Sequence, residues 1–424
     1  MKLFLHAHAT HPDWRMALAL AGAQIEAQRQ RADHVSEPTL GWVYLTDRYA
    51  AHAEPLLADL KSRWPGVAWV GAVGVGIAAN GVEYFDEPAL SLMLSDMPRS
   101  RFKVFSGAAP LGRFDAGSAQ VHADPGTDEL GELVRELSGR TRSGYLFGGL
   151  ASGRTRLLHI ADGVFQGGLS GVAFANDGGM LSRVTQGSQP IGAARRITSA
   201  SHNLVLTLDG EPALDCLLRD LKVDTLQHRD ALPRLRQTLV GLTDLGPDDA
   251  TPAEPGELPG SHADLDSGTP RRRAGQFGSD TRVRHLVGLD PGRRGVAIGD
   301  NAEVGTTLAF CSRDTDAARR DLVRICTEIR EALEPETLPL ETALALHGSE
   351  AERAPHTARR MAGAVYVSCA GRGGPHFGAP SAELAIVRHA LGDVPLVGFF
   401  AAGEIAHHHL YGYTGVLTVF TEGA

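Results

Sequence analysis

A short segment near the C-terminus combines residue types that bind a small charged ligand. It contains Cys369 to Gly373 (CAGRG), then Glu383 in a predicted helix and Glu404 after a predicted strand. Arginine holds a carboxylate with two parallel hydrogen bonds, and glutamate can meet an amino group. Arg372 with Glu383 or Glu404 therefore predicts a site for a zwitterion such as an amino acid. The alternative is that Arg372 pairs with one of these glutamates as a buried salt bridge that fixes the turn.

Glycines and a cysteine complete this predicted site. Because glycine lets backbone N–H groups approach a ligand closely, amides near Gly148, Gly149, Gly371 and Gly373 are expected to contribute. Cys369 ends a predicted strand beside an arginine that could stabilise a thiolate, which would make it a candidate nucleophile. The alternative for Cys369 is a small buried side chain at a strand end.

No complete catalytic set or cofactor site is predicted. Ser170, in GLSG, lacks the G-x-S-x-G spacing of a hydrolase, and we retain it as a ligand-binding candidate. The run Gly74–Ala79 fits a loose G-x-G-x-x-A pattern, but a hairpin turn follows it where a dinucleotide site needs a helix. A phosphate-binding loop of the G-x-x-x-x-G-K-[ST] type is absent from the sequence.

Histidines supply the main alternative chemistry. His6 and His8 are two residues apart on a predicted strand, so both side chains would point to one face, as in metal-binding H-x-H pairs. A second group lies at His407, His408 and His409. A hydrolase that uses a metal at His6 and His8, or uses Cys369, is therefore the enzyme alternative. Without a matching Cys, Asp or Glu spacing, we predict no metal site.

Composition limits the partners and the compartment. The formal charge is -9, so attraction to nucleic acid or to an anionic membrane surface is not expected. No apolar run reaches the 18 or so residues of a membrane-spanning helix, and the N-terminus does not resemble a signal peptide. The 4 cysteines form no Cys-x-x-Cys pair. We therefore predict a cytoplasmic protein with reduced thiols.

The length of 424 residues predicts two domains. Residues 41–73 show a strand-helix-strand pattern, which predicts two parallel strands with a right-handed crossover. Gly148-Gly149 and Gly167-Gly168 are predicted to be turns of an antiparallel sheet. Residues 246–282, rich in Pro, Gly, Asp, Ser and Arg, predict a flexible insertion.

The predicted fold class is α/β in the mixed α+β sense. Two domains are expected, at 1–225 and 226–424, each a mixed sheet layered with helices.

Longer stretches of the sequence follow a recognisable order. The C-terminal part contains CAGRGGPHFGAPSAELAIVRHALGDVPLVGFFAAGEIA and LYGYTGVLTVF, and the N-terminal half contains GWVYLTDRYAAHAEPLLADLKSRWPGVAWVGAVGVGIAANGVEYFDEPALSLML, LFGGLAS and FQGGLSGVAF. In this order they resemble the FIST family, the F-box and intracellular signal transduction proteins. The resemblance covers nearly the whole chain apart from the insertion.

This resemblance implies an intracellular sensory module that binds small ligands such as amino acids or related metabolites. No catalytic residues are implied. Many relatives carry a kinase, cyclase, chemotaxis or F-box module on the same chain, whereas this chain ends shortly after Phe420. A separate signalling protein is therefore the expected partner, and the ligand site is expected in a cleft between the two halves. A scaffold that binds only protein partners is the third possibility.

Overall fold

The computed structural model describes residues 2–175, 179–223, 234–235, 237–243, 281–333 and 361–421. The chain divides into two compact units: unit 1 is Met1–Gly187 with Thr315–Ala424, and unit 2 is Ser188–Asp314. Helices and mixed sheets occur together, so the predicted mixed α+β class is confirmed. The domain limits 1–225 and 226–424 stay a prediction. The predicted insertion lies outside the described residues, apart from residues 281 and 282.

Unit 1 contains three copies of one strand order. Each copy has an outer strand, a strand-helix-strand crossover, a hairpin and a last strand that returns beside the first crossover strand. Repeat 1 consists of β1 (Leu5–Thr10), α1 (Trp14–Arg29), β2 (Leu40–Thr46), α2 (Ala53–Arg63), β3 (Ala68–Gly74), the hairpin β4 (Gly76–Ala79) and β5 (Val82–Phe85), and β6 (Ala89–Ser95). Repeat 2 consists of β7 (Phe102–Phe105), β8 (Ala116–Ala123), α3 (Leu130–Gly139), β9 (Thr141–Leu150), the hairpin β10 (Leu158–Ala161) and β11 (Val164–Gln166), and β12 (Leu169–Phe174).

Repeat 3 begins with β13 (Met180–Gln186) and is interrupted in the sequence by unit 2. The elements of unit 2 are β14 (Ser188–Pro190), β15 (Arg195–Ser201), β16 (Leu204–Leu208), β17 (Glu211–Pro212), α4 (Ala213–Leu221), β18 (Thr238–Thr243), β19 (Thr281–Asp290), β20 (Gly295–Ile298) and β21 (Thr307–Arg313). Repeat 3 continues with α5 (Thr315–Leu333), β22 (Met361–Cys369), α6 (Ala382–Leu391), β23 (Leu396–Ala401), the hairpin β24 (Glu404–His407) and β25 (His409–Tyr411), and β26 (Thr414–Thr421). Short 3-10 turns occur at Asp47–His52, Arg99–Arg101 and Gly374–Phe377.

Each repeat contributes its hairpin to the sheet of another repeat. The three sheets of unit 1 have the orders β1-β6-β2-β3-β10-β11, β7-β12-β8-β9-β24-β25 and β13-β26-β22-β23-β4-β5. In all three, the two crossover strands are parallel and the other neighbours are antiparallel. The hairpin exchange links the three repeats into one core, which includes Trp42, Phe147 and Phe399.

One glycine recurs at the same place in each repeat. Gly71, Gly148 and Gly398 lie in the second crossover strand, opposite Val43, Val121 and Tyr366. A Cβ atom at these glycines would lie 1.7, 1.9 and 1.7 Å from the carbonyl oxygens of those partners. The parallel pair can therefore form with this close approach only where the side chain is absent.

The prediction for Gly148-Gly149 was wrong in its local structure. Both residues lie inside β9, which is parallel to β8, instead of forming a turn of an antiparallel sheet. A glycine pair usually marks a turn, but here it permits the close strand contact. Gly167-Gly168 does form the turn between β11 and β12, with φ of 75° and 69°.

The helices that border the predicted site follow from apolar spacing. In α5, Leu322, Ile325 and Ile329 form one buried stripe, and in α6 Leu384 and Val387 do the same. Helix α6 is capped at its C-terminus by Gly392, which has φ of 83°. The predicted strand-helix-strand unit at 41–73 is confirmed, with β2 and β3 parallel.

Unit 2 is a small antiparallel barrel that also contains helix α4. Six strands close in the order β21-β15-β16-β20-β19-β18, and β18 pairs again with β21. Its core contains Val205, Leu217, Val240 and Phe310. Among the described residues of the whole chain, no helix is long and apolar enough to cross a membrane.

Candidate functional site

The crossover of repeat 3 places most of the predicted ligand residues at the carboxyl end of its parallel strands. β22 ends at Cys369, which lies beside Ala401 of β23. The chain then turns back through residues 370–373 and reaches α6 after the 3-10 turn Gly374–Phe377. In sheets of this type, ligands bind outside the carboxyl ends of the strands, so the location suits a binding site.

Arg372 is fully buried in this turn. Its Nη2 donates to Glu383 Oε1 at 3.1 Å, and its Nη1 donates to the carbonyl oxygens of Thr185 at 3.2 Å and Tyr413 at 3.4 Å. The guanidinium carbon lies 5.4 Å from the centre of the Phe377 ring. Burial is the largest influence and opposes the charge of Arg372, but Glu383 together with Tyr366, Glu404 and Cys369 outweighs it, and the pKa of Arg372 is raised. The predicted salt bridge between Arg372 and Glu383 is therefore present.

Glu383 lies in the first turn of α6 and is also fully buried. Besides Arg372, Tyr366 donates its hydroxyl at 2.6 Å to Oε1, and Ser368 lies 3.0 and 3.1 Å from the two carboxylate oxygens. Burial, and then the charge of Glu383, raise the pKa of Tyr366 well above its usual value. The phenol therefore stays a donor that holds the carboxylate.

Glu404 is the second buried carboxyl group of this cluster. Its Oε2 accepts hydrogen bonds from Thr414, at 3.1 Å from the backbone N and 2.6 Å from Oγ1. Burial raises the pKa of Glu404 to about 8, although Thr414 and Arg372 act in the opposite direction. Burial also raises the pKa of the Cys369 thiol, and the nearby Glu404 adds to that rise. A neutral thiol is thus favoured over a nucleophilic thiolate.

Three buried polar atoms of this cluster have no hydrogen-bond partner among the described residues. They are Arg372 Nε, Glu404 Oε1 and Thr185 Oγ1. The Cys369 thiol is nonetheless close enough to Glu404 to lower its pKa slightly, as a weak donor would, but it makes no hydrogen bond of normal geometry. Buried polar groups are normally paired, so unpaired ones call for a partner such as an ordered water or a ligand. The set offers one cationic donor, one carboxyl oxygen and one hydroxyl.

The predicted glycines serve the packing of the protein itself. A Cβ at Gly373 would lie 2.1 Å from the Phe85 ring, one at Gly371 would lie 2.9 Å from the Tyr413 ring, and one at Gly149 would lie 2.7 Å from Val367. The backbone N–H of Gly373 already donates to the Cys369 carbonyl, at 3.3 Å. A ligand role for Gly148, Gly149, Gly371 and Gly373 stays a prediction.

Ser170 lies in a different place. The strand register places Glu404, Gly149, His122 and Ser170 in one row across neighbouring strands. At about 4.8 Å per strand, Ser170 is roughly 14 Å from Glu404 along the sheet. The structure therefore does not bring Ser170 to the Arg372 cluster.

Ser170 instead contacts His159, with Oγ 2.6 Å from Nδ1. The other ring nitrogen of His159 lies 3.1 Å from the Gly167 carbonyl oxygen, which can only accept. Nε2 therefore carries the proton, and the Ser170 hydroxyl donates to Nδ1. Burial lowers the pKa of His159, which keeps this ring neutral. The pair resembles a nucleophile with its base, but both side chains are buried.

A chain of buried polar side chains next to this pair was not predicted. Trp42 donates to Gln120 at 2.7 Å, Gln120 donates to Tyr44 at 2.8 Å, and the Tyr44 hydroxyl lies 3.2 Å from His122 Nε2. The alternating polar residues of β8 would mark a solvent-facing side by their period. Strand β2 of repeat 1, which carries Trp42 and Tyr44, covers that side instead, so no local signal could have identified it.

The histidines of the metal alternative lie on different sheets. His6 and His8 belong to β1, whereas His407 and His409 belong to β24 and β25. His8 Nδ1 lies 2.5 Å from the Tyr84 hydroxyl, and burial lowers the pKa of His6 to about 4. Within the described residues, no group of three or more His, Cys, Asp or Glu side chains is arranged to hold a metal ion.

Comparisons with known proteins match most of the chain. The model of the FIST N domain matches residues 39–211, and that of the FIST C domain matches residues 213–407. An uncharacterized protein of Mycobacterium tuberculosis is 30% identical, with 98% of both chains covered. An uncharacterized protein of Mycobacterium bovis is 29% identical, with 97% of both chains covered.

Proposed function

This chain belongs to the FIST family, and we propose that it is a sensory protein that binds a small zwitterionic ligand. FIST domains are sensory domains of signal transduction, and a sensory role in signal transduction is therefore the general function of this chain. The finer proposal is that the ligand is an amino acid or a related metabolite. A cytoplasmic location and a separate signalling partner belong to the same proposal.

The unpaired polar atoms around Arg372 support this ligand class. A ligand carboxylate would accept a hydrogen bond from Arg372 Nε, and a ligand ammonium group would donate to Glu404 Oε1; both atoms lack a partner among the described residues. An ammonium group beside Glu404 would also favour the ionised carboxylate and so lower its pKa from about 8. Each end of a zwitterion thus meets the group of opposite charge.

Ligand entry requires a local opening, because Arg372, Glu383 and Glu404 are fully buried. We expect this opening at the turn 370–373, because Gly371 in this turn is exposed whereas Arg372 is buried. A sensor that opens and closes around its ligand converts binding into a conformational signal.

A thermal-shift screen of the full chain against amino acids and small organic acids tests the proposal. A ligand at one hundred times its dissociation constant adds about 2.7 kcal/mol to the free energy of unfolding, which is readily measured. Glu404→Gln keeps the shape of the side chain but cannot ionise beside a ligand ammonium group, so it should weaken binding of the identified ligand by about tenfold or more.

Glu211→Gln is the matched control, because Glu211 is exposed and belongs to unit 2. It should leave the affinity unchanged. If no compound in the screen raises the melting temperature, the scaffold alternative is favoured. If a ligand is found and Glu404→Gln binds it with unchanged affinity, the ligand binds elsewhere.

A further inference from the structure

The carboxyl end of the parallel strands in repeat 1 carries a second cluster of one arginine and two carboxyl groups. It corresponds by strand order to the Arg372 cluster of repeat 3, but its central residue is Asp47, directly after β2. The three repeats meet near this end through two backbone–backbone hydrogen bonds and one from the backbone to a side chain. These contacts are Ser152 N to Val73 O at 3.2 Å, Ala402 N to Leu150 O at 3.0 Å, and Val75 N to Ser152 Oγ at 2.9 Å.

One arginine of repeat 2 bridges two carboxylates here. Arg154 Nε lies 3.1 Å from Asp47 Oδ2, and its backbone N donates to the same oxygen at 3.3 Å. Its Nη2 donates to Asp86 Oδ1 at 2.6 Å. Asp86 occupies the turn between β5 and β6, with φ of 59°. The guanidinium thus spans two acidic groups that come from separate parts of the chain.

Asp47 is buried but incompletely satisfied. Its side chain is only 7% exposed, and its Oδ1 has no hydrogen-bond partner among the described residues. A buried carboxylate with an unpaired oxygen is costly, so the group favours any further donor that can reach it.

Arg154, in contrast, is a removable partner. Its side chain is 48% exposed, and it lies in the segment between β9 and β10, outside any helix or strand. Its pair with Asp86 is exposed at both ends (48% and 73%) and so contributes roughly 0–1 kcal/mol, whereas loss of Arg154 would leave the buried Asp47 without its counter-charge. An external cation that reaches both carboxylates can therefore replace this side chain.

We propose that Asp47 and Asp86 form a binding site for the guanidinium or primary ammonium group of a small molecule, and that Arg154 occupies the site as an internal stand-in. A guanidinium suits it best, since its planar fork can donate to two carboxylates at once. The site is distinct from the zwitterion site at Arg372 and does not depend on that proposal.

The test removes the Arg154 side chain and adds agmatine, a small molecule with a guanidinium group, as the probe. Arg154→Ala should lower the melting temperature of the full chain, and millimolar agmatine should restore at least half of the loss. Sodium chloride at equal ionic strength should restore none of it. Wild-type protein should be stabilised less than the variant, because the probe must displace Arg154.

Two further variants keep the result interpretable. Arg142→Ala removes another exposed arginine that faces an aspartate, Asp115, and should show no rescue. Adding Asp47→Asn to Arg154→Ala should abolish the rescue by agmatine. Failure of agmatine to stabilise Arg154→Ala, or equal stabilisation of Arg142→Ala, would overturn the proposal.

Discussion

Two arginines, the partly buried Arg195 of unit 2 and the fully buried Arg372 of unit 1, form ion pairs of different geometry. In unit 2, Arg195 meets Asp220 through two parallel bonds, Nη1 to Oδ2 at 2.7 Å and Nη2 to Oδ1 at 2.8 Å. In unit 1, Arg372 makes only one bond to Glu383, at 3.1 Å, and its Nε has no partner among the described residues. The first pair is complete, whereas the second leaves hydrogen-bonding capacity unused.

The comparison separates a structural pair from a candidate site. A bidentate pair satisfies both partners and ties strand β15 to helix α4, so it needs no further group. The Arg372 pair combines complete burial with unpaired atoms, and Glu404 adds a second carboxyl group beside it. Burial of charge alone therefore does not indicate a ligand site; unused donors and acceptors do.

The largest expected effect comes from removing Arg372. Arg372→Ala should reduce the free energy of unfolding by about 3–5 kcal/mol, because it leaves the carboxylate of Glu383 buried without its counter-charge. Urea unfolding followed by circular dichroism measures the loss.

The double variant Arg372→Met with Glu383→Gln supplies the control for that result. It removes both charges, so much of the lost stability should return. If Arg372→Ala lowers the free energy of unfolding by less than about 1 kcal/mol, water reaches the ion pair and screens it.

Glu404 should make the stability of the protein depend on pH. The ordinary pKa of the carboxyl is 4.5, and in the folded protein it is raised to about 8. Between these values the folded state holds a proton that the unfolded chain has released, so the free energy of unfolding falls as pH rises. The slope for one such proton is on the order of 1 kcal/mol per pH unit.

Glu404→Gln should flatten this slope between pH 4.5 and about 8, measured by urea unfolding across that range. Glu83 provides a separate slope of the same sign, since burial raises its pKa to about 7. The variant Glu83→Gln should therefore flatten only the part below pH 7. An unaltered profile in Glu404→Gln would mean that this carboxyl is hydrated in the folded protein.

A smaller effect is expected from the complete pair of unit 2. Arg195→Ala should destabilise the protein by about 1.5–3 kcal/mol, the usual contribution of hydrogen bonds to a charged group. Binding of any ligand found in the thermal-shift screen should be unchanged, as measured by calorimetric titration. Loss of ligand binding in this variant would contradict the separation of the two pairs.

The smallest effect should follow the removal of an exposed arginine. Arg142 is 61% exposed and lies 3.4 Å from the exposed Asp115. Arg142→Ala should change the free energy of unfolding by less than about 0.5 kcal/mol, again measured by urea unfolding. If Arg142→Ala lowers the free energy of unfolding as much as Arg195→Ala does, the stability gained from an ion pair does not depend on how buried the pair is.

Local sequence determined much of the secondary structure around the candidate site. The helix at Ala382–Leu391 and the strand at Leu396–Ala401 follow from apolar spacing and from a terminal glycine, which act between neighbours along the chain. The family resemblance and the mixed α+β class were also accessible from sequence. These features depend on the order of residues and need no knowledge of distant contacts.

Only the tertiary structure decided which charges meet. Arg372 pairs with Glu383 through the crossover of repeat 3, while Asp47 meets Arg154 of another repeat. The threefold repeat itself is invisible in local patterns, because three hairpins pair with sheets formed by distant segments. Sequence periodicity reports which side of an element is polar; which partner covers that side is set by the contacts of the folded chain.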